Sequence, residues 1–339
     1  MKLDWAEPGA HEVAEGVFRI PLSMPGDGLH AVNVYALETT DGLALVDAGW
    51  RTPTSLLELE SALASIGHAV SSIRDVYVTH IHRDHYTLAV ELRRRFGTRI
   101  ALGRDEAPGL HELLDIESNV PMTSLLQLRR SGDPDLADVI ETVTAAEVFE
   151  VDSWEKPDSW LEPGAYAVGS RTLEAVATPG HTRGHLVFHD VAAGMLFAGD
   201  HLLPTITPSI GFELGEWDLP LADYLSSLEL MLTRPDAVLL PAHGAPAGSV
   251  HVRARELLEH HEARLNETAR AVDRLGPTTA SRVAQSLTWT RRQSSYADLD
   301  DFNRMIATCE TIAHLDVLVF RGQALVDEDV AGSTYTLTQ

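Results

Sequence analysis

The densest cluster of chemically useful side chains lies in the segment Thr79–His85. Within six residues it carries three histidines and one aspartate, which are His80, His82, Asp84 and His85. Imidazole nitrogens and carboxylate oxygens are ligands that divalent transition metals bind readily. At the end of a strand, His80 and His82 would alternate off the pleat and reach one ion from the same side, and Asp84 and His85 could reach a second. The segment therefore predicts a metal site; a chance histidine cluster on a solvated loop is the alternative.

Three later stretches each contribute one further residue of the ligand type. An apolar, strand-like run precedes each of them, and the three residues are His181, Asp200 and His243. His181 also lies on a Pro-Gly turn, where an imidazole is easily presented. Open sheets commonly place their chemistry at strand ends. The repeated arrangement predicts that several distant parts of the chain meet at one edge of a sheet.

The sequence resembles the metallo-β-lactamase superfamily over about residues 15 to 247. The resemblance rests on four motifs in this order: H-x-H-x-D-H, a Gly-His turn, a Gly-Asp pair and a Gly-flanked histidine. The resemblance implies an αβ/βα sandwich with two divalent metal ions at one edge. Zinc is the expected metal, although imidazole and carboxylate ligands serve manganese and iron as well. The implied ligands are His80, His82 and His181 for the first ion, Asp84, His85 and His243 for the second, and Asp200 as the bridge between them.

Four further residues are candidates for supporting the ligands or lining the pocket. Asp47 resembles the superfamily's early strand-end aspartate, which implies that it orients a ligand. Tyr86 stands where members of the superfamily usually carry a small residue, and it either contacts substrate or, as we favour, begins the core face of a helix. His185, four residues after His181, could be a ligand by its spacing, but at a strand start we favour a position behind the ligands or in the core. His201 follows the predicted bridging aspartate and either lines the pocket or points to the opposite face.

The predicted ligands indicate hydrolytic chemistry. Two divalent ions a few ångströms apart can hold a hydroxide between them, with the pKa of its parent water lowered towards ~7. Such a hydroxide attacks an activated carbonyl without a Ser or Cys nucleophile, and Asp84 is the carboxylate best placed to take up a proton. The Asp84-His85 pair and Asp200 resemble those of glyoxalase-II-like thioesterases and acyl-homoserine lactonases. We therefore predict a binuclear hydrolase of a small acyl substrate, a thioester or related ester, with a lactonase as the first alternative.

Two other classes remain open: a metal-dependent phosphodiesterase or RNase, and a non-catalytic metal-binding regulator. The formal charge of −24, from 26 basic and 50 acidic residues, opposes non-specific binding to nucleic acid or to an anionic membrane. We expect neither as a partner, and a homodimer stays open. The segment Met1–Gly16 has no apolar signal-peptide core, and the single cysteine, Cys309, suits a reducing compartment, so we expect a cytoplasmic protein.

The length of 339 residues and the order of elements predict an α/β protein with two domains. We expect a catalytic domain at 1–248, with a helical insertion at about 104–163 that is either a lid over the site or an oligomer interface. Three helical runs and two short strands then predict a smaller, winged-helix-like domain at 249–339. Residues 250–339 contain ten Arg, no Lys and thirteen acidic residues, which favours dimerisation or a pocket edge over nucleic-acid binding.

Overall fold

The computed structural model describes residues 4–115, 118–147, 149–212, 217–290, 293–329 and 332–338. Its contacts divide the chain into two compact units, each assembled from separate segments. The first unit comprises Met1–Asp115, Glu150–Pro208 and Ser227–Ala254, and the second comprises Ile116–Phe149, Ser209–Ser226 and Arg255–Gln339. This division differs from the predicted limits of 1–248 and 249–339. The reason is that part of the predicted insertion clusters with C-terminal residues.

A seven-stranded sheet forms one layer of the first unit. Its strands, in spatial order, are β1 (His11–Ala14), β2 (Val17–Ser23), β3 (Ala31–Thr39), β4 (Gly42–Val46), β5 (Ile73–Val78), β6 (Arg99–Gly103) and β7 (Ser159–Leu161). The strands from β1 to β4 pair antiparallel, and those from β4 to β7 pair parallel. The carboxyl ends of β4 and β5 consequently lie at the same edge of this sheet.

A five-stranded sheet forms the facing layer. Its strands, in spatial order, are β12 (Val238–Pro241), β11 (Met195–Gly199), β10 (Leu186–Asp190), β9 (Arg171–Ala177) and β8 (Gly164–Val168). Only the β11–β12 pair of this sheet is parallel. The two sheets bury one continuous apolar core, in which the Tyr35 ring meets Phe197 edge-on at 5.3 Å and Tyr77 meets Phe188 at 6.0 Å.

Three helices of the first unit follow the strands of the first sheet: α1 (Ser55–Ser65), α2 (Arg83–Phe96) and α3 (Ala107–Asp115). The helix α1 packs against β2, and α2 packs against β5 and β6. The sequence predicted that Tyr86 would begin this helix, but α2 begins at Arg83, and the N–H groups of His85 and Tyr86 both donate to the His82 carbonyl at 3.0 Å. Asp84 and His85 therefore lie in the first turn of the helix instead of in the preceding loop.

The second unit is mainly helical. Its elements are α4 (Met122–Arg130), α5 (Pro134–Ala145), β13 (Thr278–Thr279), α8 (Ala280–Ser286), β14 (Thr288–Trp289), β15 (Ser294–Ser295), α9 (Asp301–Phe320), β16 (Ala324–Asp329) and β17 (Gly332–Leu337), while α6 (Pro220–Thr233) and α7 (Val250–Leu275) contain residues of both units. A small core joins Leu125 and Leu128 of α4 to Met305 and Cys309 of α9. The predicted order of three helices and two strands is observed, as α7, α8, α9 and the β16–β17 hairpin. The likeness to a winged helix stays a prediction.

Within the described ranges, we find no helix that combines the length and apolar character needed to cross a membrane.

Candidate metal centre

The predicted ligand residues lie just beyond the carboxyl ends of strands in the first unit. His80 and His82 follow β5, Asp84 and His85 occupy the first turn of α2, His181 follows β9, Asp200 follows β11, and His243 follows β12. Six of the seven side chains are buried, and His82 is half-buried. The structure thus brings together seven side chains from four separate segments.

Three imidazoles form the first part of the centre, which we call the imidazole group: His80, His82 and His181. The Nε2 atoms of His80 and His181 each lie 3.0 Å from Nδ1 of His82. Tetrahedral zinc with Zn–N bonds of about 2.0–2.1 Å would hold its nitrogen ligands about 3.3 Å apart. The three nitrogens therefore have the spacing of ligands to a single ion.

Asp84, His85 and His243 form the second part, which we call the mixed group. Oδ2 of Asp84 lies 3.2 Å from Nε2 of His243 and 3.5 Å from Nε2 of His85. One carboxylate oxygen and two imidazole nitrogens again face a common point. The mixed group therefore offers a second position for a cation, with a harder ligand set than the imidazole group.

Asp200 lies between the two groups. Its Oδ2 atom is 3.5 Å from Nε2 of His181, in the imidazole group. Its Oδ1 atom is 3.5 Å from Nε2 of His243 and 3.7 Å from Nε2 of His85, in the mixed group. One carboxylate oxygen thus faces each group, which is the placement that a bridging carboxylate requires.

Three buried polar atoms of the centre lack a hydrogen bond within the described part of the chain. They are His85 Nε2, His243 Nε2 and Asp200 Oδ1. Buried polar atoms are normally satisfied, because leaving one without a partner costs about 1–3 kcal/mol. Both nitrogens lie within 3.7 Å of the Asp200 oxygen. A divalent cation would satisfy all of them, so the residues present fit a two-metal centre of nitrogen and oxygen ligands.

Asp47 supports the mixed group from behind. Its Oδ2 atom lies 2.9 Å from Nδ1 of His85, and its Oδ1 atom accepts the backbone N–H of Thr79 at 2.8 Å. Histidines that bind metals usually donate their other ring N–H to a carboxylate or a carbonyl. This contact leaves Nε2 of His85 directed at the group. Asp47 thus contacts a predicted ligand histidine, and its role in orienting a bound metal stays a prediction.

Two other ligand histidines, His243 and His80, are oriented in a similar way. Nδ1 of His243 lies 2.8 Å from the carbonyl oxygen of Ala31, which can only accept a hydrogen bond, so Nδ1 is the donor. Nδ1 of His80 lies 3.0 Å from the hydroxyl of Thr79. In both histidines the outer nitrogen is held by the fold, and Nε2 faces the centre.

His185 and His201 lie outside the imidazole group and the mixed group, and also outside the cluster of His80, His85 and Asp200, whose ligand atoms are close enough to share a cation as well. Nε2 of His185 accepts the backbone N–H of Asp200 at 3.2 Å, and its Nδ1 lies 2.9 Å from the hydroxyl of Thr178. His185 therefore fixes the backbone of Asp200. His201 is fully buried, with its ring 6.1 Å from that of His185, and burial lowers its pKa to about 3.

Tyr86 packs against the segment that contains Trp154 and Glu155. Its hydroxyl donates to the carbonyl of Glu155 at 2.6 Å, and its ring stacks on Trp154 with the centroids 5.9 Å apart. The side chain is completely buried. Of the two roles predicted for Tyr86, the structure agrees with packing in the core and does not place the hydroxyl in the metal centre.

The electrostatic environments of the two groups are opposite. Burial, reinforced by neighbouring imidazoles, lowers the pKa values of His80 and His82 well below the usual range. Burial also opposes protonation of His85, but the carboxylates of Asp84 and Asp47 outweigh it and raise the pKa of His85 well above its usual value. The imidazole group therefore resists positive charge in the absence of a cation, whereas the mixed group attracts it.

Sequence reasoning missed Glu106, a buried residue that is 3% exposed. Its carboxylate accepts hydrogen bonds from the Thr182 hydroxyl and from the backbone N–H groups of Ile81 and Gly184. Burial raises its pKa to about 7, although these hydrogen bonds oppose the shift. No sequence signal distinguishes Glu106, because it lies in a short charged stretch after β6 that looks like an ordinary surface turn.

Comparison with known proteins identifies the class. The sequence profile of the metallo-beta-lactamase superfamily matches residues 27–243. This chain belongs to that superfamily, whose members typically bind a two-metal centre. The match begins in the loop before β3, after the first two strands of the seven-stranded sheet, and ends at His243.

Individual relatives are similar over longer stretches. The Bacillus subtilis protein named "Probable metallo-hydrolase YqjP" is 24% identical over 288 residues, which cover 82% of this chain and 85% of the relative. The "Lactamase-like protein nscB" of Neosartorya fischeri is 27% identical over 263 residues, which cover 76% of this chain and 62% of the relative. These similarities support a metal-dependent hydrolase.

Two crystal structures resemble almost the whole chain. A metallo-beta-lactamase family protein from Thermus thermophilus has a TM-score of 0.79 and 28% identity, covering 96% of this chain and all of that one. A beta-lactamase domain protein from Burkholderia ambifaria has a TM-score of 0.78 and 25% identity, covering all of this chain and 95% of that one. The predicted α/β class, with its αβ/βα sandwich, is confirmed.

Proposed function

We propose that this protein is a binuclear metal-dependent hydrolase that cleaves an activated carbonyl compound, a thioester or a related ester of a small acyl molecule. The observation that carries the proposal is the position of Asp200, with one carboxylate oxygen facing each group of ligands. A carboxylate placed in this way can hold two ions close together. Paired ions can supply an activated water as the nucleophile and Lewis acidity at the carbonyl.

The charges of the ligands favour a substrate that becomes anionic during the reaction. Asp84 and Asp200 are the carboxylates among the seven ligand residues, and the other five are imidazoles. Two divalent ions would bring four positive charges, of which the carboxylates offset two. The remaining positive charge would stabilise an oxyanion that forms at the attacked carbonyl.

A weakly basic leaving group suits the side chains around the centre. Tyr86, which follows the ligand motif directly, commits its hydroxyl to the Glu155 carbonyl and cannot donate to a substrate. A thiolate leaves without much help from a general acid, whereas an amine does not. A ring-opening alkoxide is the next easiest case, which makes a lactone the second candidate substrate.

A hydrolysis panel on purified protein of measured metal content tests the proposal. The substrates are short- and long-chain acyl thioesters, acyl-homoserine lactones, bis-p-nitrophenyl phosphate and RNA. We expect turnover of a thioester or ester, with lactones slower. Turnover of phosphodiesters or RNA without turnover of acyl compounds would show that the proposal is wrong, and so would the failure of every substrate with two ions bound.

Asp84→Ala is the companion variant, because it removes the carboxylate of the mixed group. It should lose the ion of that group and most of the turnover while the fold persists, as judged by circular dichroism. Glu60→Ala, on an exposed position of α1, is the matched control for removal of an acidic side chain and should leave both properties unchanged.

A further inference from the structure

Glu106 occupies an unusual position for a carboxylate. It ends a short helical turn, Arg104–Glu106, directly after β6, and only 3% of it is exposed. Ionised groups are rarely buried to this extent unless they are paired or well hydrogen-bonded, because burial removes them from water. Three hydrogen bonds, from Thr182, Ile81 and Gly184, oppose the effect of burial on its pKa. The residue therefore depends on its hydrogen bonds for compensation.

Those hydrogen bonds connect Glu106 to two different segments of the chain. The backbone N–H of Ile81 donates from the segment between His80 and His82. The hydroxyl of Thr182, next to His181, donates from the other segment, together with the backbone N–H of Gly184. One buried carboxylate thus links the two segments that carry the whole imidazole group.

Two glycines permit this linkage. A Cβ atom on Gly184 would lie 2.2 Å from the backbone nitrogen of Glu106, which is far closer than any real contact. A Cβ atom on Gly103 would lie 2.3 Å from the carbonyl oxygen of Gly184. The turn after β6 and the segment after His181 therefore approach as closely as backbones can, and only glycine allows it.

We propose that Glu106 is a positioning residue, which holds the segments 80–82 and 181–184 together so that the three nitrogens of the imidazole group converge. The inference rests on the proposed metal centre. It assigns to the imidazole group a buried carboxylate that acts through the backbone and a threonine, whereas Asp47 acts on the mixed group by direct contact with His85. Removing Glu106 should therefore weaken one cation position more than the other.

Cobalt(II) titration of the metal-free protein tests this proposal without using activity. The variants are Glu106→Ala, Glu106→Gln and Thr182→Val, and the ligand-field absorption reports each position as it fills. We expect Glu106→Ala to weaken one cobalt position by about 10- to 100-fold, the range typical of residues that orient metal ligands. Glu106→Gln should weaken it less, because the amide oxygen still accepts hydrogen bonds, and Thr182→Val should also have a smaller effect.

Asp316→Asn is the matched control. Asp316 is another largely buried carboxylate, but it belongs to the second unit, where it pairs with Arg130 at 2.9 Å. The control should lower the melting temperature without changing either cobalt affinity. Should Glu106→Ala act in the same way, Glu106 merely stabilises the fold and the proposal is overturned.

The remaining outcomes are also decisive. If Glu106→Ala does not fold, Glu106→Gln and Thr182→Val still have to lower the affinity of one position for the proposal to stand. If they bind cobalt as the unaltered protein does, Glu106 has no positioning role. If the unaltered protein itself binds no cobalt or zinc, the proposed function fails first, and the two failures are distinguished in this way.

Discussion

The two halves of the metal centre differ in composition and in support. The imidazole group consists of three nitrogens, and burial keeps the pKa values of His80 and His82 low. The mixed group includes a carboxylate, and its neighbouring aspartates raise the pKa of His85. Because carboxylate oxygens favour harder ions than imidazole nitrogens do, the two positions are expected to differ in affinity and metal preference.

The halves are nevertheless connected by two carboxylates. Asp200 faces both groups directly, one oxygen to each. Asp47 contacts His85 in the mixed group and also accepts a hydrogen bond from the Thr79 hydroxyl at 3.0 Å, and that hydroxyl lies 3.0 Å from Nδ1 of His80. Ligand type therefore separates the two positions, while shared carboxylates couple them.

Removing Asp200 should have the largest effect, because Asp200 faces both groups and its loss should weaken metal binding at both positions. We expect Asp200→Ala to bind less than one ion per chain and to lose turnover by more than about 100-fold, beyond the loss typical of residues that only orient ligands. Elemental analysis after gel filtration and a kcat/KM measurement check the two parts. Two tightly bound ions in this variant would contradict the bridging position.

Single histidine replacements should separate the halves. His181→Ala removes a ligand of the imidazole group, and His243→Ala removes one of the mixed group. We expect each variant to keep one cobalt ion, with a different absorption spectrum in each, because the surviving positions have different ligands. Identical spectra in the two variants would show that the groups do not act as separate positions.

Asp47→Asn should have an intermediate effect that is larger in the mixed group. The amide keeps the shape of the side chain but loses the charge that faces Nδ1 of His85. Loss of such a partner typically costs about 10- to 100-fold in metal affinity. In a cobalt titration the position of the mixed group should weaken by that amount, and the position containing His80 by less. Equal weakening would mean that the contact through Thr79 matters as much as the direct one.

Much of the centre could be predicted from the sequence because several of its ligands lie in one short, recognisable motif. His80, His82, Asp84 and His85 lie within six residues, and His243 is one of three residues that each follow an apolar strand-like run. The spatial meeting of these strand ends followed from the resemblance to a known superfamily. The three helical runs and two short strands predicted for residues 249–339 are also observed, as α7, α8, α9, β16 and β17.

What could not be predicted depends on contacts between distant parts of the chain. Glu106 matters only because Gly184 lets two backbones approach closely, and no local pattern records that approach. Two helices of the insertion, α4 and α5, cluster with the second unit because Leu125 and Leu128 pack with Met305, far along the chain. The early start of α2 was missed because a polar His-Arg-Asp-His stretch has no apolar periodicity.

The smallest effect is expected from Thr178→Val, which should weaken both positions equally. Because the Asp200 N–H donates to Nε2 of His185, the ring proton lies on Nδ1 and is donated to the Thr178 hydroxyl. Valine cannot accept it, so Asp200 is held less firmly, at a cost of about 0.5–1.5 kcal/mol. Cobalt affinities should fall a few-fold at both positions. Tyr86→Phe is the control: it removes a comparable hydrogen bond to Glu155 and should lower the melting temperature without changing cobalt affinity. If Thr178→Val lowers the cobalt affinity of one position more than that of the other, His185 supports one group only.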